Sequence, residues 1–267
     1  MISLILGLAL LLSVAMAVGW VWQRQVNNAG WVDVFWSFAT GIAAVTGALC
    51  PIPGDFAQPA RQAVVATLAT LWALRLGLHL RARVMHRPED ARYAGFRRDW
   101  GAGFQSRLFW FLQIQAAAAL PLAVAILLAA RVPAPFPRPT DLLALILIVV
   151  ALAGTAIADR QLARFLADPN NASKVCNSGL WAWSRHPNYF FEWLGWCAWP
   201  VFAIGTAGAF GWFALAAPML MYWLLVHVSG IPPLERAMLA SRGAAYRAYQ
   251  GRTSAFFPLP PRDEVRA

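Results

Sequence analysis

The sequence predicts an all-α, polytopic integral membrane protein of about seven transmembrane helices, with its N-terminus outside and its C-terminus in the cytoplasm. Hydrophobic residues make up 60% of the 267 residues and charged residues only 13%, whereas soluble domains are about a quarter charged. The apolar runs also approach the ~20 residues that a helix needs to cross a bilayer. We therefore expect a single membrane domain over residues 1–267.

Seven apolar runs supply the predicted helices in chain order, at Ile2–Trp22, Trp31–Cys50, Ala63–Leu80, Leu108–Ala130, Leu142–Ala158, Tyr189–Ile204 and Phe210–Val228. The first run contains Ala15-Met16-Ala17, which resembles the cleavage site of a signal peptide. It lacks a basic n-region, however, and its apolar run is long. We therefore interpret it as a membrane helix.

The distribution of cationic residues predicts the orientation. With the N-terminus outside, 18 of the 22 Lys and Arg residues lie on the cytoplasmic side, among them Arg87 and Arg266. Only Arg61, Arg131 and Arg138 lie on the other side. This asymmetry follows the positive-inside rule, and an even number of helices would destroy it. Topology and anionic headgroups thus account for most of the net charge of +10, so we expect membrane lipids and no nucleic acid as partners.

The segment from Ser184 to Trp193 places many polar groups at the mouth of a strongly apolar run. Pro187 suits the first turn of a helix, which predicts a helix that starts near His186. Asn188 and Glu192 are then four residues apart and share one face. Arg185 and His186 stand at the positive end of this helix, which suits anionic phosphate oxygens. We interpret this segment as a cofactor site.

Polar residues in the N-terminal half form a second group of candidates. Asp33 lies at the start of the second helix, where it either complements the helix dipole or takes part in a site. Arg75 and His79 are four residues apart on one face of the third helix. They line a cavity, or Arg75 pairs with a carboxylate such as Asp33. The segment Glu89–Tyr93 is expected to begin a charged loop helix.

The C-terminal half contains further groups suited to a nucleotide. Asp159 ends the fifth apolar helix, where its carboxylate either accepts hydrogen bonds from ribose hydroxyls or an amide, or forms a local salt bridge. Arg164, just beyond it, has the bidentate donors that meet phosphate. Tyr246, Tyr249 and Arg252 form an aromatic and basic set suited to covering a nucleotide from the cytoplasmic side.

Other common site types find little support in the sequence. The three cysteines form no C-x-x-C spacing, and the four histidines are scattered singly, so we expect neither a disulfide framework nor a metal site. The chain has no G-x-G-x-x-G or Walker loop. A bound nucleotide would therefore be held by the helices themselves.

These motifs resemble a known family. The resemblance rests on Asn28, Gly30, Asp33, the Glu89–Tyr93 segment, the run from Asp159 through Lys174, Gly179-Leu180-Trp181, Ser184–Trp193, and the closing Tyr246, Tyr249, Arg252-Thr253 and Phe257-Pro258. Together they resemble the steroid 5-alpha-reductase C-terminal family, and most closely its bacterial branch DUF1295. The resemblance covers most of the chain.

The resemblance implies an NADPH-dependent membrane reductase that acts on a carbon–carbon double bond conjugated to a carbonyl, in a lipophilic substrate. Residues 141–258 would form the cofactor side and residues 1–130 the substrate side. The cofactor would be held by Asp159, Asn188 and Glu192, with contacts from Tyr189, Tyr246 and Arg252, and with Arg164, Arg185 and His186 towards the phosphates. The glutamine–glutamate pair and tyrosine with which steroid reductases grip the ketone have no evident counterpart here. Asp33, His79 and Tyr93 are the nearest candidates for the acid or oxyanion donor.

Two other functions stay open at this stage. Isoprenylcysteine and phospholipid methyltransferases also show an Arg-His-Pro-x-Tyr helix start followed by a glutamate, which Arg185–Tyr189 and Glu235 match loosely. That pattern implies S-adenosylmethionine as cofactor. A non-catalytic lipid-binding protein is the third possibility. The arginine-rich, lysine-poor composition favours a GC-rich bacterial genome and hence the bacterial inner membrane.

Overall fold

The computed structural model describes residues 1–54, 57–86, 88–204 and 208–262, so the predicted cytoplasmic cations Arg87 and Arg266 lie outside the described residues. Over the described ranges the chain is helical, without strands, and an isolated bridge joins Ser184 to Ser254. The helices are α1 (Ile2–Val26), α2 (Trp31–Leu49), α3 (Pro59–His86), α4 (Ala91–Trp100), α5 (Phe104–Ala130), α6 (Pro139–Ala167), α7 (Leu180–Trp183), α8 (Pro187–Ala203), α9 (Ala216–Trp223) and α10 (Ile231–Arg252). The all-α prediction is confirmed.

Six helical stretches among the described residues are long and apolar enough to cross a membrane: Ile2–Val26, Trp31–Leu49, Pro59–His86, Arg92–Ala130, Pro139–Ala167 and Phe210–Arg252. Helix α8 has 17 residues and spans about 26 Å at 1.5 Å per residue, which is less than the ~30 Å of a hydrocarbon core. The chain is thus a helical membrane protein. The count of seven and the orientation of the termini stay predictions.

Local sequence explains several helix ends. Asn27 closes α1 in the left-handed conformation, with a φ of 51°, which Asn tolerates better than most residues. Asp90 caps α4 by accepting a hydrogen bond from the backbone N–H of Arg92 at 3.0 Å, so the predicted loop helix is confirmed. Pro187 begins α8 as expected. The run Phe210–Val228 is divided between a 3₁₀ helix, α9 and a π-helical turn.

The described residues cluster into two compact units. The first unit comprises Met1–Leu142 and Trp199–Ala217, and the second comprises Leu143–Ala198 and Pro218–Ala267. In the first unit, α2 packs against α1, α3 and α5, and α5 also packs against α1 and α3. The core between α1, α2 and α5 is apolar, and its fully buried residues include Leu8, Leu12, Met16, Ala43, Leu108 and Leu112. Small residues on α2 let its neighbours approach closely, because a Cβ added at Gly41 would lie 2.2 Å from the Cβ of Ala73.

The three cations predicted on the outer side all stabilise the first unit. Arg61 donates to Asp141 at 2.6 Å, and both side chains are fully buried. Arg138 donates to the same carboxylate at 2.9 Å. Arg131 donates to the backbone carbonyl of Gly47 at 2.8 Å. Because a buried charge is costly without a partner, these contacts give each of the three arginines a structural reason to be where it is.

Aromatic side chains organise the second unit. Phe190, Trp193, Tyr222, Phe256 and Phe257 form one cluster, with ring centroids 5.2 to 6.3 Å apart. These distances are typical of favourable aromatic pairs. A cavity of about 490 Å³ lies nearby, lined mostly by apolar side chains that include Val150, Ile157, Leu180, Trp183 and Phe191. The cluster ties the C-terminal segment to α8.

The contact between Gly154 of α6 and Phe191 of α8 gives a test of this packing. A Cβ at residue 154 would lie 2.3 Å from the Phe191 ring, so Gly154→Ala forces the ring to move. We expect overpacking to cost about 1–3 kcal/mol. Alanine gains ~1 kcal/mol over glycine in a helix, so the net loss of stability is up to about 2 kcal/mol. Thermal unfolding in detergent measures it. Gly7→Ala is the control, because nothing lies within 4 Å of a Cβ there, and equal melting temperatures for the two variants would contradict the prediction.

Candidate functional site

The residues before α8 are tied to the C-terminal segment of the second unit. Ser184 Oγ donates to the carbonyl of Phe256 at 2.8 Å, and the backbone N–H of Arg185 donates to the carbonyl of Ser254 at 2.8 Å. The guanidinium of Arg185 also donates to the carbonyl of Thr253 at 2.5 Å. The crossing is thus made by side chains of Ser184 and Arg185 and by one backbone N–H, all of which donate to backbone carbonyls of the C-terminal segment. It holds the start of α8 in place.

Glu235 of α10 lies at the centre of a largely buried polar cluster. Arg185 Nε donates to its Oε1 at 2.7 Å, and His186 Nε2 lies 3.1 Å from the same oxygen. Gln250 Nε2 donates to Oε2 at 2.8 Å. Tyr246 also hydrogen-bonds with Glu235. We call these five residues the Glu235 cluster.

The burial of His186 favours its neutral imidazole. The side chain is 2% exposed, and this burial lowers the pKa of His186, although the hydrogen bond and charge of Glu235 oppose the shift. Its ring is stacked on that of Tyr189, with centroids 5.6 Å apart and planes inclined by 12°. A neutral ring is a weak partner for a phosphate, and the phosphate contact that the sequence suggested for His186 stays a prediction.

Asn188 and Asp159 form the second polar feature of this unit. Asn188 Nδ2 donates to Asp159 Oδ1 at 3.3 Å, and Asn188 Oδ1 accepts the backbone N–H of Tyr189 at 3.0 Å. Both residues are half-buried, as is Glu192, one turn further along α8. The pair combines an amide with a carboxylate near the first turn of a helix. Such a pair can offer both donors and acceptors to the hydroxyl and amide groups of a ligand.

The other predicted cofactor residues fall into different environments. Tyr246 is buried within the Glu235 cluster, and Arg252 is half-buried at the end of α10. Arg164 is exposed in the last turn of α6. The guanidinium of Arg185 is already bonded to Glu235 and to the carbonyls of Gln250 and Thr253. The structure therefore brings Arg185, His186 and Tyr246 together, brings Asp159 and Asn188 together, and leaves Arg164 at the surface.

In the first unit, Asp33 and Tyr93 form a hydrogen-bonded pair. The fully buried Tyr93 donates its hydroxyl hydrogen to Asp33 Oδ1 at 2.7 Å, and Arg92 donates to Oδ2 at 2.5 Å. The side chain of Gln115 makes a further hydrogen bond with Tyr93. Asp33 thus holds a tyrosine and an arginine from α4, and the pairing of Arg75 with a carboxylate stays a prediction.

His79 stands apart from this pair. It is exposed on α3, and over the described residues it makes no hydrogen bond with Asp33 or Tyr93. Two of the three predicted acid or oxyanion candidates are therefore brought together and the third is not. In the described part of the chain no group of three or more His, Cys, Asp or Glu side chains is arranged to hold a metal ion.

Sequence reasoning underestimated Glu235 and Arg92. The sequence points to Glu235 only as the later glutamate of a methyltransferase-like pattern, yet it joins Arg185 and His186 across about fifty positions of the chain. It points to Arg92 only as a cytoplasmic cation and as a member of the charged Glu89–Tyr93 segment. The signal that pointed to Glu235 was available, since it is a carboxylate close to the apolar run that ends at Val228.

The chain has helices of membrane length and an ion-pair cluster at the start of α8. It is therefore a helical membrane protein with a polar site in its second unit. The chain belongs to the DUF1295 family, whose members are described as proteins of unknown function and whose match covers residues 19–253. This membership confirms the resemblance noted from the motifs. A Schizosaccharomyces pombe protein described as uncharacterized is 37% identical over 84 residues, a stretch that covers 30% of this chain and 23% of the relative. No solved structure matches the chain.

Proposed function

We propose that this protein is an NADPH-dependent reductase of the bacterial inner membrane, and that it reduces a conjugated carbon–carbon double bond in a lipophilic, steroid-like, isoprenoid or lipid enone. The observation that carries the proposal is the Asp159–Asn188 pair at the start of α8, with a 3.3 Å contact between amide and carboxylate. Membrane-length helices support access for an apolar substrate. The resemblance to steroid 5-alpha-reductases supports the cofactor and the reaction class.

The residues present fit the proposed cofactor. Asp159 and Asn188 offer an acceptor and a donor to ribose hydroxyls or to the carboxamide, and Glu192 on the same helix face adds a second carboxylate. Arg164 and Arg252 are the proposed phosphate contacts, since bidentate guanidinium groups suit phosphate. NADPH, when bound, supplies the hydride for the β-carbon of the enone. Arg185, already engaged by Glu235, is proposed to position the start of α8.

The acid of the reaction is proposed to be Tyr93. As the β-carbon gains hydride, negative charge develops on the carbonyl oxygen, and a hydrogen-bond donor at that oxygen lowers the barrier. Tyr93 has one such donor. In the structure its hydroxyl hydrogen is donated to Asp33, and in the proposed step the hydroxyl turns from Asp33 to the carbonyl oxygen. Asp33 and Arg92 are positioning residues in this proposal, because they fix the phenol rather than contact the substrate.

The cofactor assignment predicts the outcome of a titration. NADPH is titrated into the detergent-purified protein. We expect Asn188→Ala and Glu192→Ala each to weaken binding about tenfold or more, since each removes a protein group that is proposed to hydrogen-bond with the ligand. Asn170→Ala is the matched control, because Asn170 is exposed. Unchanged affinity for NADPH in both test variants would contradict the proposed cofactor site.

A second candidate function has one specific observation in its favour. Arg185 and His186 both contact Glu235, which joins the two parts of the methyltransferase-like pattern. A parallel titration with S-adenosylmethionine separates the two enzymes. Binding of S-adenosylmethionine without binding of NADPH would replace the reductase by a membrane methyltransferase. Binding of neither cofactor would favour a non-catalytic lipid-binding protein.

A further inference from the structure

Nδ1 of His186 is a buried polar atom of the second unit that finds no hydrogen-bond partner among the described residues. The residue is 2% exposed and its Nε2 is engaged. Buried polar atoms are nearly always hydrogen-bonded, so an exception needs an explanation. The atom lies one residue before the N-terminus of α8, a helix of 17 residues.

The contacts of the ring determine what Nδ1 can bind. Glu235 is a carboxylate, so Nε2 must carry the hydrogen that lies between them. A neutral imidazole has one donor nitrogen and one acceptor nitrogen, and burial lowers the pKa of His186. Nδ1 is therefore an acceptor. It cannot donate to a phosphate oxygen, but it can accept a hydrogen bond from an O–H or N–H group.

We propose that His186 Nδ1 accepts a hydrogen bond from a hydroxyl or amide N–H of the bound nucleotide, and that His186 is not a phosphate contact. This inference rests on the proposed nucleotide site and specifies the role of one of its residues. Ribose hydroxyls provide this chemistry in both NADPH and S-adenosylmethionine, and the carboxamide provides it in NADPH alone. Because Nδ1 is shielded, the ligand must displace a covering side chain to reach it. The stacked Tyr189 ring fixes the plane of the imidazole.

Two substitutions separate the two ring nitrogens. The longer side chain of His186→Gln can place a donor where Nε2 meets Glu235, but it offers nothing at the position of Nδ1. His186→Asn can place an amide near the position of Nδ1 but does not reach Glu235. We expect His186→Gln to keep the melting temperature and to lose about tenfold in nucleotide affinity. His186→Asn should lower the melting temperature and keep most of the affinity.

The pH dependence of binding gives a readout that a purely structural role would not change. The charged groups that face His186 are Glu235 of α10 and the neighbouring Arg185. Acidification protonates the ring, which converts Nδ1 from an acceptor to a donor. The affinity of the wild type relative to that of His186→Gln should therefore fall as the pH falls from neutral to mildly acidic. Taking this ratio removes the titration of the ligand itself.

The experiment titrates NADP⁺, NADPH and S-adenosylmethionine separately into the full-length protein in detergent, with both variants, across this pH range. The proposal is supported if wild type and His186→Asn bind more tightly than His186→Gln, and if the affinity of the wild type relative to His186→Gln falls on acidification. A relative affinity that rises on acidification would mean that a protonated His186 meets a phosphate, and would overturn it while leaving the nucleotide site intact. Equal affinities of wild type and His186→Gln at every pH would also overturn the proposal and leave the nucleotide site intact. Absence of binding by the wild type would overturn the proposed nucleotide site and this inference together.

Discussion

Glu235→Ala is expected to destabilise the protein by about 3–5 kcal/mol, because removal of one partner leaves buried charge uncompensated. The side chains of Arg185 and Glu235 are 10% and 14% exposed, so water replaces little of the lost interaction. Gln250 and Tyr246 lose their bonds to the same carboxylate. Thermal unfolding of the detergent-purified protein measures the effect as a lower melting temperature.

Two further variants make the test of the Glu235 cluster specific. Arg236→Ala removes an exposed charge at the adjacent position and should change the melting temperature little. The double variant Glu235→Ala with Arg185→Ala should cost less than the sum of the two single variants, since residues in one network are not additive. A melting temperature for Glu235→Ala close to that of Arg236→Ala would show that the cluster does not stabilise the fold.

The helices were predictable because each depends on a local property. Long apolar runs identify membrane-length helices, and Pro187 and Asp90 mark helix starts through the conformations they favour. The predicted helix ends were less accurate, because hydropathy shows where the chain is apolar and does not show whether a helix continues into polar sequence. Helix α3, for example, continues through the polar turns to His86, beyond the predicted end at Leu80. Helix α10 was expected only as a C-terminal segment, and its kink at Gly243 leaves no signal in hydropathy.

The candidate site was predictable only in part. The Ser184–Trp193 segment stood out because polar groups are costly next to an apolar run, and this reasoning found Arg185, His186 and Asn188. Their partners were harder to find, since Glu235 lies 49 positions beyond His186 and no local pattern encodes such a contact. The pairing of Asp33 with Tyr93, 60 positions apart, is of the same kind. The sequence alone therefore identified polar residues that need a partner, and the fold showed which of them pair with one another.

Tyr93→Phe is expected to lower kcat for enone reduction by about 10²–10⁴-fold, the usual contribution of a general acid. The phenylalanine keeps the ring in its buried position and removes only the hydroxyl that donates to Asp33. The affinity for NADPH should stay at the wild-type value, because Tyr93 is proposed to act on the carbonyl oxygen and not to hold the cofactor. Consumption of NADPH with a panel of lipophilic enones measures kcat, and a direct titration measures the affinity.

The controls for Tyr93→Phe distinguish an acid from a structural tyrosine. Tyr222→Phe removes a hydroxyl from the aromatic cluster of the second unit and should leave kcat nearly unchanged. Asp33→Asn keeps an acceptor for the phenol but removes the ion pair with Arg92, so we expect a smaller loss of kcat than in Tyr93→Phe. If Tyr93→Phe turned over enones at the wild-type rate and only melted earlier, the tyrosine would be structural. The acid would then have to be sought at another residue, because a developing enolate still requires a donor.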